Sequence, residues 1–493
     1  MNLRILRRWN VFLAVLCAML VMLTSMVSAE TVIRYYAQNL TPRERLEADR
    51  WNPPQHLWKL QAEWEQLNPG TKIDFIPSLA EGSNYEAWLT TQMTGGTAPD
   101  IVWYQRGYIN RDYRKGWFVN LSPFLEKPNP YVEGNERWMD IFEPQVIASG
   151  MAPDGNIYLL TGDIVGTGFF YNKDIFDELG LAEPDTWDEF FTVQQKIKEA
   201  GYIPFAGQMQ DMTHVSWTLR ILQEMIMDTK MSQIKGTDAE VPRTWKPGEA
   251  INTKDMVFAI MDGRYSALDP QWQEQLRIFK YWTDNFWQEG FMGSGWDDLY
   301  RLWVTGKAAI MWHGSWQNKP VQQDPLREFD YGIFGPPRLT KETSPYATGV
   351  PSAAMGGVGG VFQYAVTQTA VKKGHLDKVI DWLMYVTAPQ NIGPLLTDHG
   401  GFAPGVRNAD VDPSLQVYTD QMVIGGTERI EPYDSMLTVE FWDRMVNLVH
   451  EYLGGKTNLE ETSNRIQKEM ERNAQLLLNQ NQEWKKEYQA RKK

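Results

Sequence analysis

The sequence predicts an α/β fold built on parallel strands, and the first hundred residues carry the two observations behind this prediction. Three short runs are rich in β-branched and aromatic residues, as strands are: residues 31–36, 72–76 and 100–104. Two predicted helices lie between them: 57–67, with apolar residues at helical spacing, and 85–93, which stops before Gly95 and Gly96. This alternation of strands and helices places the strands parallel in one sheet.

The same alternation continues along the rest of the chain. Residues 168–171 are a predicted strand, and Asp174 is the predicted cap of the helix that follows. Thr186 and Glu189 form the pattern of a capping box at the start of the next helix. The remaining predicted elements are a buried strand at 308–311, an amphipathic helix at 376–386, and a charged helix from 458 that frays at 485–493.

The first 29 residues have the three parts of a secretory signal peptide. A basic segment at 4–8 precedes an apolar run at 11–23, and residues 27–29 (VSA) form a small-residue cleavage site. The alternative is a membrane anchor, which needs roughly 20 apolar residues against the about 13 present here. We therefore expect export, cleavage after Ala29, and a mature protein in the periplasm or at the extracellular face of the membrane.

Composition narrows the classes of partner. The chain has 48 basic and 62 acidic residues, a formal net charge of −14, and the predicted signal removes three arginines. Nucleic acids and anionic membranes need a basic surface, so neither is expected as a partner. The one cysteine, Cys17, lies in the signal, and Leu16 before it is not the small residue that lipid attachment requires. The mature chain is therefore expected to have no disulfide.

Three glycine-rich stretches interrupt the alternation, at 162–168, 356–360 and 400–405. Glycine tolerates the dihedral changes of a hinge, so these stretches predict three crossings between two lobes. Ordinary surface loops are the simpler interpretation of the stretches taken alone. The predicted crossings divide the mature chain into four segments: 30–163 (first lobe), 164–361 (second lobe), 362–403 (first lobe) and 404–493 (second lobe).

Five short motifs stand in order along the chain: GGTAPDIV at 95–102, FYNKD at 170–174, TWDE at 186–189, GKAA at 306–309 and GSW at 314–316. Downstream of an export signal, they resemble the sugar-binding branch of the family 1 extracellular solute-binding proteins, which serve ABC importers. The resemblance implies a type II periplasmic-binding-protein fold, with two hinged lobes that each hold a mixed β-sheet flanked by helices. It also implies a mono- or oligosaccharide ligand, ABC permease subunits as partners, and a monomer.

The first lobe is expected to bind ligand beyond the carboxyl ends of its strands, as open α/β sheets do. After the third strand these residues are 103–106, which include Gln105. The resemblance implies that Tyr104 lies against the sugar and that Gln38 and Asn39 make polar contacts, which amide side chains suit. A solvated loop is the alternative for Gln38 and Asn39. Gly107 replaces an acidic ligand residue of the family, which implies a different sugar or register.

In the second lobe, Trp316 is the principal predicted site residue. Gly314 lets the chain turn at the strand end, and the resemblance implies that Trp316 stacks on a sugar ring. Asp163, in the first glycine-rich stretch, can accept two sugar hydroxyls through charge-assisted hydrogen bonds, with a turn residue as the alternative. Gly359, in the second stretch, is predicted to let the backbone approach the sugar closely.

The resemblance implies two further contact segments in the second lobe. His214 and Trp217 follow a strand-like run at 203–205 and match one segment that touches ligand in the family. Trp442 matches the family's last stacking segment. Core packing is the alternative for both tryptophans.

No cofactor and no metal are predicted. The glycine run at 356–360 lacks the Lys-Ser/Thr ending of a phosphate loop, and no second histidine lies at ligand spacing from His313. A secreted carbohydrate-active enzyme is the first alternative, but it needs two facing carboxylates at about 5–5.5 or 6.5–9.5 Å. Adjacent acids such as Asp297 and Asp298 do not face each other. The second alternative is a binding protein that feeds a sensor instead of an importer.

Overall fold

The computed structural model describes residues 30–492, apart from 48, 50–51, 80–83, 153, 212, 244–248 and 431–437. The predicted signal peptide, its cleavage site after Ala29 and Cys17 lie outside the described residues. Within the described part of the chain, no helix is long and apolar enough to cross a membrane.

Strands and helices alternate along most of the chain, and both are numbered in chain order. The described strands are β1 (Thr31–Tyr36), β2 (Thr71–Phe75), β3 (Ile101–Trp103), β4 (Leu160–Thr161), β5 (Asp163–Asn172), β6 (Ile203–Ala206), β7 (Ala308–Gly314), β8 (Tyr331–Phe334), β9 (Gly356–Val358), β10 (Gln363–Val366) and β11 (Ala403–Pro404). The described α-helices are α1 (His56–Leu67), α2 (Tyr85–Gly95), α3 (Arg106–Asp112), α4 (Ser122–Leu125), α5 (Pro144–Ala148), α6 (Lys173–Glu178), α7 (Trp187–Glu199), α8 (Thr213–Ile226), α9 (Met231–Lys235), α10 (Thr253–Met261), α11 (Pro270–Phe286), α12 (Trp296–Val304), α13 (Asn318–Gln323), α14 (Gln368–Lys372), α15 (Leu376–Val386), α16 (Pro389–His399), α17 (Gln416–Gly425), α18 (Val439–Leu453), α19 (Leu459–Gln480) and α20 (Gln482–Arg491).

The first lobe has a five-stranded sheet in the order β2-β1-β3-β10-β4. The first three strands pair in parallel, as predicted, with Tyr35 opposite both Phe75 and Ile101. β10 comes from much later in the chain and runs antiparallel between β3 and β4, with Tyr364 opposite Trp103 and Leu160. The sheet is therefore mixed.

The second lobe is organised around β5, all ten residues of which are buried. β5 pairs antiparallel with β7, β8, β9 and β11, and β6 adds to β7 in parallel. The prediction placed a strand only at 168–171. A strand buried on both faces lacks the alternation of polar and apolar residues that marks a strand in sequence, so its first half was missed.

The chain passes between the two sheets at three places, each within or beside a glycine-rich stretch. β4 leads into β5 through Gly162, β9 leads into β10 through residues 359–362, and α16 leads into β11 through residues 400–402. Gly162 joins all three: its N–H donates to Phe362 O at 3.0 Å, and its carbonyl accepts the N–H of Gly405 at 2.8 Å. It stays a prediction that the segments bounded at 163, 361 and 403 move as two lobes.

Each sheet has a separate apolar core, and tryptophan fills much of both. In the first lobe, Trp64 of α1 packs edge-on against Trp382 of α15, with ring centroids 5.5 Å apart. Nine tryptophans are among the largest fully buried side chains: Trp64, Trp138, Trp187, Trp272, Trp282, Trp303, Trp312, Trp382 and Trp442. A large share of the aromatic content therefore serves the cores and not the surface.

A buried ion pair connects Glu224 of α8 with Arg429, which precedes α18. Arg429 Nε lies 3.1 Å from Glu224 Oε2, and both side chains are less than a tenth exposed. Glu224 Oε1 also accepts the backbone N–H groups of Arg429 and Ile430, at 2.8 and 3.0 Å. Arg429 pairs in addition with Asp228 at 2.7 Å. This cluster fixes the position of α8.

Three local predictions can be compared with the structure. Thr186 and Glu189 form the predicted capping box at the start of α7. Asn172, not Asp174, caps α6, because its side chain accepts the N–H of Ile175. The predicted frayed end at 485–493 is mostly the ordered helix α20, held where Tyr488 donates to Asp262 at 2.9 Å.

Candidate functional site

Trp316 lies open to solvent at the end of a central buried strand. β7 ends at Gly314, and a short 3-10 turn at Ser315–Gln317 follows. The indole folds back over the strand end, since a β-carbon on Gly314 would lie 2.1 Å from its ring. Trp316 is 41% exposed, whereas Trp312 within β7 is fully buried. A flat apolar face is therefore presented at the surface here, as predicted from Gly314 and Trp316.

The third crossing runs beside Trp316. A β-carbon on Gly401 would lie 2.6 Å from Trp316 Cα, so the chain leaving α16 touches the base of this residue. The Trp316 ring meets Trp217 and His313 in edge-on contacts, with centroid distances of 6.1 and 6.0 Å. Trp316 thus stands where the chain passes from one lobe to the other.

The α8 residues predicted to touch ligand lie behind this surface. His214 is fully buried, its Nδ1 accepts the N–H of Gln208 at 3.2 Å, and its Nε2 lies 3.0 Å from Trp312 O. Burial lowers the pKa of His214 to about 4, so the ring is neutral at physiological pH. The structure therefore does not present His214 to a ligand, because both ring nitrogens are bonded internally. Trp217 is also buried and supports Trp316 by its ring edge.

Asp211 fixes the neighbouring part of the same wall. Its carboxylate accepts hydrogen bonds from Trp296 Nε1 (2.7 Å), the Thr213 backbone N–H (2.8 Å) and Gln208 Nε2 (2.9 Å). Burial raises the pKa of Asp211, but these hydrogen bonds outweigh burial and the pKa is lowered. All three hydrogen bonds to this carboxylate come from within the protein. The bond from Trp296 holds that indole against His313, with ring centroids 4.6 Å apart.

On the first lobe, Trp103 at the end of β3 and Gln105 just beyond it are accessible. The half-buried Trp103 donates its indole N–H to Gly360 O at 3.2 Å, which sets it beside the second crossing. Gln105 is exposed just before α3. Tyr104 is only 2% exposed and donates its hydroxyl to Asp112. The structure therefore does not present Tyr104 to a ligand, since successive residues along a strand point to opposite faces and Tyr104 points inward.

Gln38 and Asn39 form the turn that follows β1. The turn is a 3-10 segment at Gln38–Leu40, and Gln38 adopts a φ of 52°, which is uncommon outside glycine. Its carbonyl accepts the hydroxyl of Ser78 at 2.7 Å. Gln38 is half-buried and Asn39 is exposed. Both amide side chains remain candidates for polar contacts with a ligand.

Asp163 joins the first crossing to the second. Its buried carboxylate accepts the backbone N–H groups of Gly360, Val361 and Phe362, each at about 3.0 Å. Burial raises the pKa of Asp163 to about 7, against the lowering effect of these hydrogen bonds. A sugar contact for Asp163 is therefore corrected to a structural role. Gly359 donates its N–H to Asp163 O at 2.9 Å and has a φ of 73°, which favours glycine.

Trp442 belongs to the core of the second lobe. It lies in α18, is 1% exposed, and packs against Phe441 with ring centroids 5.9 Å apart. The structure shows the alternative of core packing for Trp442 and does not present its ring to a ligand.

Trp103 lies within the run 103–106 that the sequence places at the ligand site, whereas Trp296 and His313 are not among the predicted ligand contacts. Their positions depend on pairings across more than 80 residues, such as Trp296 with Asp211 and Trp103 with Gly360, which sequence spacing does not reveal. Among the described residues, no cluster of His, Cys, Asp and Glu is arranged to hold a metal ion.

The chain belongs to the bacterial extracellular solute-binding protein family, since that family's model matches residues 51–392, well over half of its length. Members of this family are exported binding proteins. The two mixed sheets, flanked by helices, agree with the fold that the resemblance implied.

Curated relatives are similar over part of their length. The Multiple sugar-binding protein of Streptococcus mutans is 27% identical over 284 residues, which cover 57% of this chain and 59% of the relative. An uncharacterised ABC transporter extracellular-binding protein of Pyrococcus horikoshii is 23% identical over 257 residues, 51% of each chain. The chain thus spans about half to three-fifths of these relatives.

Solved structures of sugar-binding proteins share the two-lobed fold. RafE of Streptococcus pneumoniae without ligand is 18% identical, with a TM-score of 0.60 over 90% of this chain and 98% of that one. RafE in complex with raffinose is 17% identical, with a TM-score of 0.57 over 90% and 99%. A chitin oligosaccharide binding protein is 18% identical, with a TM-score of 0.60 over 91% and 100%. These comparisons confirm the predicted fold class.

Proposed function

We propose that this protein captures a neutral sugar, of oligosaccharide size, in the cleft between its lobes and delivers it to an ABC importer. The exposed indole of Trp316 beside the third crossing carries this proposal. A pyranose ring has apolar faces, and a flat aromatic face at a cleft is the surface that binds them. Trp103 on the first lobe, beside the second crossing, offers a second such ring.

The charges at the site favour an uncharged ligand. The carboxylate of Asp211 is saturated by three internal donors, and that of Asp163 is enclosed among backbone N–H groups. His214 and His313 are both held neutral by burial. Gln38, Asn39 and Gln105 add amide groups, which can donate to and accept from sugar hydroxyls without carrying charge.

The same observations favour binding over hydrolysis. Glycoside hydrolysis needs one protonated and one ionised carboxyl group on either side of the scissile bond. Neither Asp163 nor Asp211 can approach a ligand without giving up its present hydrogen bonds. The solved structures are consistent with binding, since RafE was solved with raffinose and a Bacillus licheniformis sugar transporter was solved with stachyose.

In this proposal the ligand bridges the lobes and stabilises the closed form, which the permease then recognises. The protein acts as a monomer outside the cytoplasmic membrane, after removal of residues 1–29. The Pyrococcus relatives are described as parts of ABC transporters, which supports the permease as partner.

A thermal-shift screen tests the proposal with raffinose, stachyose, xylo-oligosaccharides, chitin oligosaccharides and the corresponding monosaccharides. A sugar at 100 times its Kd adds about 2.7 kcal/mol to stability, which is readily measured. The sugar should be recovered unchanged by chromatography. Absence of a shift with every sugar, or recovery of cleaved products that depends on one carboxylate, would reject the proposal.

A further inference from the structure

Two histidines lie behind and beside Trp316, and the protein uses them differently. His214 has both nitrogens occupied, since Nδ1 accepts the N–H of Gln208 and Nε2 lies 3.0 Å from Trp312 O. His313, in β7, has only Nδ1 occupied, by the N–H of Gly314 at 2.9 Å. No described residue hydrogen-bonds to Nε2 of His313. This nitrogen is not fully enclosed by protein atoms.

The hydrogen bond from Gly314 also fixes the tautomer of His313. A neutral imidazole has one N–H and one bare nitrogen, and the bare nitrogen is the acceptor. Because Nδ1 accepts, the proton of the neutral ring is on Nε2. Burial, together with the charge that His214 would add, lowers the pKa of His313 to about 3. The ring is therefore an uncharged donor at physiological pH.

The ring of His313 packs against two tryptophans of the candidate site. The ring packs at 4.6 Å from Trp296 and at 6.0 Å from Trp316, measured between centroids. Asp211, the nearby carboxylate, is already bonded to the indole N–H of Trp296. His313 retains 7% exposure, and the residue that follows it begins the turn carrying Trp316.

We propose that His313 donates its Nε2–H to an oxygen of the sugar residue that stacks on Trp316, and so determines which way round that sugar lies. This inference rests on the proposed function and adds a specificity-determining residue to it. Stacking alone fixes the plane of a sugar but not its rotation within that plane. A single directed N–H at the rim of the stacking face supplies the missing direction.

Two amide variants separate this role from a structural one. Asparagine places an atom near Nδ1, so His313→Asn can keep the acceptor for Gly314 and loses the Nε2 donor. Glutamine places an amide N–H near Nε2, so His313→Gln keeps the donor and loses the acceptor. The affinity of each variant is measured by calorimetry with whichever of raffinose, stachyose, xylotetraose and chitotetraose binds the unmodified protein.

The expected result is that His313→Asn weakens binding by about 3- to 10-fold, the effect of one neutral hydrogen bond, while His313→Gln retains most of the affinity. Equal affinities, or the reverse order, would overturn the inference and leave the proposed function intact. Failure of the unmodified protein to bind any of the four sugars would overturn both.

Nitrogen-15 NMR of the sugar-free protein provides a check that needs no ligand. His313 should show a protonated Nε2 and a bare Nδ1 between pH 5.5 and 8, with His214 in the same spectrum for comparison. A proton on Nδ1 of His313 would overturn the inference whatever the sugar experiments show.

Discussion

Both carboxylate oxygens of Asp163 accept a hydrogen bond from the backbone N–H of Gly360, at 3.2 and 3.0 Å. The two residues are far apart in sequence and belong to different crossings between the lobes. Because no described cation faces Asp163, only backbone N–H groups oppose the cost of burying its charge. The titration of this carboxyl group should therefore be visible in the stability of the protein.

We expect Asp163 to make stability fall as pH rises from about 4 to about 7. Burial raises its folded pKa to about 7, well above the value of about 4 in an unfolded chain. Between these values the folded state binds more protons than the unfolded state, so raising the pH lowers the free energy of unfolding. In urea melts at pH 5 and pH 8, the stability of the unmodified protein relative to Asp163→Asn should be greater at pH 5. A greater difference at pH 8 would contradict this.

Trp316→Ala should weaken sugar binding by about 1–3 kcal/mol, by analogy with the stacking of bases on aromatic side chains. The free energy of unfolding of the sugar-free protein should fall by much less than the about 3–5 kcal/mol typical of a buried tryptophan, because Trp316 is partly exposed. Calorimetry and urea melts measure the two quantities. Trp442→Ala is the matched control, and it should show the larger loss of stability with little change in affinity.

Gly314→Ala should reduce affinity without replacing the stacking residue. The new β-carbon would lie 2.1 Å from the Trp316 ring, so the indole must leave its present position. We expect a loss of affinity comparable with that of Trp316→Ala. Gly293→Ala is the control, because that β-carbon meets no atom within 4 Å and the backbone there is unstrained. An affinity for Gly314→Ala equal to that of the control would show that the ring's position is unimportant.

Glu224→Gln should lower the free energy of unfolding by up to about 3–5 kcal/mol, since it removes one of the two carboxylates that pair with the buried Arg429 and leaves only Asp228. Urea denaturation measures the loss. Arg137→Met removes an exposed pair with Asp140 and should cost less than about 1 kcal/mol. If the two variants lose a similar amount of unfolding free energy, the cluster around Glu224 contributes no more to stability than a surface ion pair.

The mature protein should begin at Glu30. Intact-mass spectrometry of the exported protein is expected to give the mass of residues 30–493 without a lipid. A diacylglyceryl group on Cys17 would show that the apolar segment is instead a lipoprotein signal.

Periodicity and glycine content predicted most of the scaffold. The helix at 376–386 was predicted to the residue, because its apolar stripe and Pro389 mark both its face and its end. The crossings coincide with glycine-rich stretches, because these are where the backbone changes direction between sheets. The pairing of β10 between β3 and β4 was not predicted, since no local pattern specifies a partner so distant in sequence.

The site was predicted less well than the scaffold. The exposure of Trp316 follows from Gly314, which ends a strand just before it, and its contact with sugar stays a prediction. The sequence places both Trp103 and Tyr104 at the ligand site, although side chains alternate along a strand and only one of two neighbours can face it. Sequence does not show that both ring nitrogens of His214 are occupied by backbone groups while Nε2 of His313 is not.

The placement of β10 has a consequence for how the chain acquires its structure. β10 separates β3 from β4 in the first sheet, so β4 has no partner strand there until residues 363–366 are available. Contacts that span so much chain form slowly, because a long loop must close before they stabilise anything. A newly made chain should therefore be unable to add β4 to the first sheet until residues 363–366 have been synthesised.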